Sequence, residues 1–299
     1  MFLKIEKKFA KIPNGENIAY VEKGTGDKVI VLVHGNFSSS YHYEPLYKNI
    51  PDDYRVIAPD LRGYGDSSYN TPINTLHELA DDVVALLKKL KVKKAVFVGW
   101  SLGGCVVQSI AARYNKLVEK LVLVASGSCK GYPVFKKDAS FQNIIGATYA
   151  NKEELALDPV TVAPMVNTQR SKNYKFMEQI WNMTIYTGPN KPDEESSAIF
   201  LEETCKQVNL VDADWALMTF NISNETSFYS SGEDIAKNIS CPVLAINGRL
   251  DITVPEIMTS ENRTHIPGLV QKYYANAGHS ILVDDIESLT KDILEFVNA

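Results

Sequence analysis

The 299-residue sequence predicts an α/β fold, a mostly parallel, doubly wound sheet of about eight strands with a helical insertion after the sixth. Three observations predict it. Short β-branched runs recur along the chain without polar alternation, as in strands buried on both faces. Segments of helical period separate most of them, which favours right-handed crossovers. One long interval, 127–234, breaks the alternation and contains no convincing strand.

In chain order, residues 9–12 and 17–21 flank Pro13-Asn14-Gly15 and predict an antiparallel hairpin. Apolar runs at 29–33, 54–58, 95–98 and 120–125 predict the next four strands, and runs at 243–246 and 270–274 predict the last two. The clearest helix places Leu76, Leu79, Ala80, Val83, Leu87 and Leu90 on one face, with Thr75 and Glu78 as a capping box. The interval 127–234 is too long for a structureless loop. Its prolines (Pro133, Pro159, Pro164, Pro189, Pro192) punctuate a segment rich in Phe, Tyr, Met and Trp, which predicts a mostly helical cap, or lid. Phe135, Phe141, Ile144, Ile145, Trp181, Met183 and Trp215 are among its large apolar residues. Most of them are expected to form the cap's own core, and a minority to line an apolar pocket. Residues 1–126 and 235–299 then make up the α/β core.

Composition narrows the function. A hydrophobic content of 45% supports a sizeable core, and a net charge of −5 without a basic cluster argues against nucleic acid as a partner. No run approaches the roughly 18 apolar residues of a membrane span. The charged start, Lys4-Ile5-Glu6-Lys7-Lys8, is unlike a signal peptide. Cys105, Cys129, Cys205 and Cys241 show no metal-ligand spacing, so neither disulfides nor a metal is expected. Cys105 and Cys241 fall in apolar elements and read as buried small hydrophobes. The expected setting is cytoplasmic. Several Asn-x-Ser/Thr triplets read as chance matches.

Chemistry concentrates at Gly99-Trp100-Ser101-Leu102-Gly103. A serine between the strand at 95–98 and a following run of small apolar residues must occupy a very tight turn. Glycines two before and two after it leave room for that turn. Such a serine needs a base, and the base needs an orienting acid. His279 follows the last strand and a glycine, where a histidine can reach the sheet's carboxyl edge. His34 is its competitor, but it sits directly after a strand and reads as a shaper of the next loop. His42, His77 and His265 read as surface or packing residues. Asp251, in the loop after the strand at 243–246, is the expected acid, with Glu256 and Asp284 as alternatives. An ion pair with Arg249 is the competing role for Asp251. Two N–H donors are needed for a tetrahedral oxyanion. Leu102 supplies one by position, and Asn36 is the expected second, followed by Phe37. Phe37 and Trp100 are the expected substrate contacts, and the Asn36 side chain is a further candidate for bonding a substrate or a water.

His34-Gly35, the stretch Pro59-Asp60-Leu61-Arg62-Gly63-Tyr64-Gly65-Asp66-Ser67, the serine turn, the segment 242–251 and Gly278-His279 resemble, in this order, serine hydrolases of the α/β-hydrolase fold with a cap. The resemblance runs nearly end to end. It implies that Asp60 and Arg62 shape a loop near the site and do not react. A serine at the nucleophile position resembles esterases, lactonases, carbon–carbon hydrolases and cofactor-free perhydrolases. Dehalogenases and epoxide hydrolases of this fold carry aspartate there. The implied activity is hydrolysis of a small apolar ester or lactone through an acyl-enzyme, without cofactor or metal, by a monomer or homodimer. Carbon–carbon cleavage, perhydrolysis and a small-molecule receptor on the same fold are the alternatives.

Overall fold

The computed structural model describes residues 1–299. The hairpin pairs β1 (Lys8–Lys11) with β2 (Asn17–Lys23), and β2 pairs antiparallel with β4 (Tyr54–Pro59). The remaining strands are β3 (Lys28–Val33), β5 (Ala95–Trp100), β6 (Val118–Val124), β7 (Val243–Gly248) and β8 (Val270–Tyr274), and every pairing from β4 through β8 is parallel. The eight strands lie in the order β1-β2-β4-β3-β5-β6-β7-β8. The chain therefore moves outward from β3 to β4, then crosses back to place β5 on the other side of β3. The carboxyl ends of β3 and β5 flank this reversal, where open α/β sheets form their crevice.

Helices α1 (Glu44–Asn49), α2 (Leu76–Lys89) and α3 (Leu102–Arg113) alternate with the early strands. The capping box of α2 is formed by Thr75 and Glu78. Between β6 and β7 lie α4 (Lys152–Ala156), α5 (Val162–Arg170), α6 (Tyr174–Thr184), α7 (Glu194–Thr204) and α8 (Leu210–Thr219), with no named strand. Then come α9 (Glu256–His265), α10 (Ile281–Asp284) and α11 (Ile286–Asn298). No helix is long and apolar enough to cross a membrane.

The period-2 geometry of the strands sorts the core into two layers. Val31, Val33, Phe97, Leu121 and Leu123 pack on one face with Leu79 and Val83 of α2 and Val106 and Ile110 of α3. Ile30, Leu32, Val96, Val98 and Val122 pack on the other with Leu46 of α1 and Leu289 and Ile293 of α11.

Two expectations need correction. The insertion does not bury most of its apolar residues in a core of its own, since that cluster holds only Tyr149, Leu155, Val162 and Met218. Its short helices pack onto the two main layers, Ala213, Ala216 and Phe220 on one side and Met177, Trp181 and Phe200 on the other. Phe141, Ile144, Ile145 and Met183 remain exposed. Cys241 is only partly buried because β7 begins two residues later, whereas Cys105 is buried within α3.

Candidate active site

Ser101 occupies the one-residue reversal between β5 and α3, with φ 56° and ψ −122°. This is a strained conformation for a side chain with a Cβ. Local hydrogen bonds hold it. The Ser101 N–H donates to the Val124 carbonyl at 3.0 Å, and the Ser101 carbonyl accepts from the N–H groups of Gly104 (2.9 Å) and Gly127 (3.2 Å). The flanking glycines are required by close approach. A Cβ on Gly103 would stand 2.1 Å from the Val33 carbonyl oxygen, and one on Gly99 would stand 2.5 Å from the Gly103 oxygen. Gly35 faces Ser101 so closely that a Cβ there would lie 2.9 Å from the Ser101 Cβ.

His279 and Asp251 meet as a buried pair, Nδ1 to Oδ2 at 2.9 Å, with side chains 2% and 1% exposed. Asp251 is itself fixed, because its Oδ1 accepts from the N–H groups of Thr253 (2.8 Å) and Val254 (2.9 Å). Arg249 does not compete for it. Its guanidinium bonds Glu256 at 3.0 Å and lies 3.7 Å over the Tyr273 ring. Asp284 supports the histidine loop instead of the ring, accepting from the Gly278 N–H at 2.8 Å. Trp100 Nε1 donates to the His279 carbonyl at 3.0 Å, which ties the histidine loop to the end of β5. Donation from Nδ1 to Asp251 leaves Nε2 as the basic nitrogen, and His279 and Ser101 line one cavity.

The two expected donors differ from their neighbours in what they bond. Leu102 is the first residue of α3, so its N–H has no partner within the helix. The Asn36 N–H makes no hydrogen bond within the protein. The Phe37 N–H is unsuited to the role, because it donates to Gln207 Oε1 at 3.0 Å. The Asn36 side chain is also committed. Its Nδ2 donates to Asp214 Oδ1 at 2.8 Å, and its Oδ1 accepts from Tyr64 Oη (2.9 Å) and Gln207 Nε2 (2.8 Å). It is therefore a strut of the loop as well as a residue lining the cavity.

His34 is buried, with the Leu61 N–H donating to its Nε2 at 2.9 Å and its Nδ1 set against the Gly35 carbonyl at 2.8 Å. Burial pushes its pKa down to about 4, so it stays neutral and braces the loop. Asp60 accepts from the N–H groups of Ser40 and Asp66, and Arg62 makes a two-pronged contact with Asp82 at 2.6 and 2.8 Å. Asp60, Asp66 and Glu203 converge closely enough to suit a cation. Lys7 already fills that role, with Nζ 2.8, 2.8 and 2.7 Å from the three carboxylates.

The cavity has a volume of about 670 Å³. Phe37 and Trp100 line it, and the insertion contributes Tyr132, Phe135, Met165, Trp181 and Leu217. Fourteen of its 25 lining residues are hydrophobic, which suits an apolar ligand body. Asp214 of α8 also lines it and went unrecognised in the sequence. Burial outweighs its hydrogen bond from Asn36 and pushes its pKa up to about 7.

Comparison with known proteins bears on the fold that carries this site. Residues 28–286 match the family of the alpha/beta hydrolase fold, and the chain belongs to that family. A cis-3-alkyl-4-alkyloxetan-2-one decarboxylase of Shewanella oneidensis is 36% identical over 122 residues, 38% of this chain and 37% of that protein, so this match spans well under half of the relative. A pimeloyl-[acyl-carrier protein] methyl ester esterase of Vibrio vulnificus is 24% identical over 89% of this chain and 93% of its own length. Among solved structures, an esterase from Exiguobacterium antarcticum superposes with a TM-score of 0.75 at 18% identity, covering 98% of this chain and 100% of its own. An enol-lactonase from Burkholderia xenovorans gives 0.73 at 18% identity, covering 98% and 100%. At such identities the two structures establish the shared fold.

Proposed function

We propose that this member of the alpha/beta hydrolase family hydrolyses a small, largely apolar carboxylic ester or lactone through an acyl-enzyme on Ser101. The observation that carries the proposal is the convergence on one cavity of a strained elbow serine, a histidine fixed by a buried aspartate, and a main-chain N–H without a partner. The relatives that act on a methyl ester and an oxetanone, and the enol-lactonase of the same fold, support this class of substrate.

In the proposed reaction, Ser101 Oγ attacks the carbonyl carbon while His279 Nε2 accepts its proton. Asp251 holds the ring in the required tautomer and stabilises the imidazolium. The N–H groups of Asn36 and Leu102 bind the oxyanion, each such donor being worth about 2.7–4 kcal/mol in a comparable site. His279 then protonates the leaving alcohol, and water repeats the sequence to release the acid. Residues 127–234 act as the cap, whose helices supply the apolar wall that selects the substrate, with a cytoplasmic setting as part of the same proposal.

The test is hydrolysis of nitrophenyl esters from acetate to decanoate, and of a lactone series, by the protein and by Ser101→Ala. The proposal expects serine-dependent turnover with a chain-length optimum. Failure of both series would move the chemistry to carbon–carbon cleavage, perhydrolysis or a receptor role.

A further inference from the structure

We propose that Asp214 forms a subsite for a primary ammonium group, so that the substrates are esters whose apolar chain ends in an amine. This rests on the proposed ester hydrolysis and specifies its substrate. The argument begins with what Asp214 does not bond. Its Oδ1 accepts from Asn36 Nδ2 at 2.8 Å, and its other oxygen takes no donor from the protein. No lysine, arginine or histidine forms an ion pair with it, although Asp214 lies in a largely apolar cavity. A carboxyl group placed there without a cation is an unfavourable arrangement that a cationic ligand would relieve.

The surroundings leave that role open. Lys137 is the other residue lining the cavity whose side chain is charged irrespective of histidine titration, and its Nζ is turned to the Phe135 carbonyl at 3.1 Å. Asp158, which raises the Asp214 pKa, is committed to the first turn of α5 through the N–H groups of Val160, Thr161 and Val162. Tyr132 donates to the Thr253 carbonyl, and Tyr64 and Gln207 donate to Asn36. His279 and Asp251 are paired with each other. None of these groups neutralises Asp214. A purely structural acceptor for Asn36 needs no charge, as the amide oxygen of Gln207 shows where it accepts from the Phe37 N–H. The carboxyl group adds an ion-binding capacity on the same cavity as Ser101, with Asn36 linking the two.

The experiment compares ω-aminoacyl nitrophenyl esters of increasing length with isosteres in which a methyl group replaces the ammonium. The ratio of kcat/KM within a pair cancels the titration of His279, which serves both esters alike. At the best length, the ammonium ester is expected to win by about tenfold or more, as a charge-assisted hydrogen bond in a sheltered site provides. The ratio should rise with pH through about 7, where Asp214 ionises. In Asp214→Asn, which keeps an acceptor for Asn36, it should fall below one. A wild-type preference for the methyl esters at every pH, or an ammonium preference that survives Asp214→Asn, would overturn the proposal. Should the variant fail to fold, the pH dependence of the wild-type ratio decides. If neither series is hydrolysed, ester hydrolysis is wrong, and calorimetry on Ser101→Ala with pentylammonium against pentanol decides the subsite alone. Tighter binding of the ammonium supports it, and equal or absent binding overturns it.

Discussion

A φ of 56° at Ser101 is the residue-scale feature on which the site depends, because it raises the hydroxyl above the sheet while presenting the Leu102 N–H beside it. Ser101→Ala and His279→Ala should each reduce turnover to near the uncatalysed rate with unchanged circular dichroism; near-normal rates in either would move the chemistry elsewhere. Asp251→Asn should cost roughly 10⁴ in kcat, as loss of the correct tautomer does in a comparable triad. Asp214 allows a prediction from stability. Its folded pKa of about 7 lies above the unfolded carboxylate value, so the folded state bears the cost of the charge once pH passes 7 and escapes it when the group is protonated in both states. Asp214→Asn should therefore raise the unfolding free energy by up to about 4 kcal/mol at alkaline pH, with the gain shrinking as pH falls towards about 4. Denaturant titrations of the two proteins across that range check the sign. Ser101, Asp251 and His279 were legible because each follows a strand run and lies within three residues of a glycine, Gly99, Gly248 and Gly278 in turn. Asp214 was not, since its one hydrogen-bond partner is 178 residues away and its helix gives no sign of what it faces.

At the scale of elements, the junction of β5 and α3 is set by backbone contact. Gly103→Ala would drive a Cβ to 2.1 Å from the Val33 oxygen and 2.4 Å from the His34 oxygen, so α3 must move away from β3. We expect a loss of several kcal/mol, on the scale of about 3 or more for a strained core substitution, accompanied by loss of activity. Gly146→Ala, at φ 86° with no atom within 4 Å of the added Cβ, should cost only about 1–2 kcal/mol for its left-handed backbone. Equal losses in denaturant midpoint for the two variants would contradict this account. The strands were legible because burial on both faces leaves uniform apolar runs, and α2 because only one of its faces is buried. The helices of the insertion were not resolved individually, since they are short and their apolar residues serve both main layers, the cavity and solvent at once.

Across the whole molecule, the crossing from β4 to β5 brings the loop after β3 beside the elbow after β5, and the insertion closes over that crevice. The start of the chain ties these parts together. Phe2 packs on Tyr41 and Phe200, while the buried ammonium of Lys7 joins Asp60 and Asp66 of the core to Glu203 of α7. Thr204 of the same helix donates to the Phe37 carbonyl at 2.7 Å, so α7 also steadies the loop after β3 that carries Asn36. Lys7→Ala should cost about 3 kcal/mol, because removing one partner strands the others, with Lys206 offsetting part of the loss. It should also speed proteolysis within the insertion; unchanged stability and unchanged cleavage would show that the N-terminal tie is dispensable. The central claim is that Ser101 is a nucleophile activated by His279, and mass spectrometry after treatment with a fluorophosphonate tests it most directly. The account predicts one adduct, on the peptide carrying Ser101, that abolishes ester hydrolysis and forms far more slowly in His279→Ala. An unmodified Ser101 under conditions that inactivate the protein, or full activity after its modification, would contradict it.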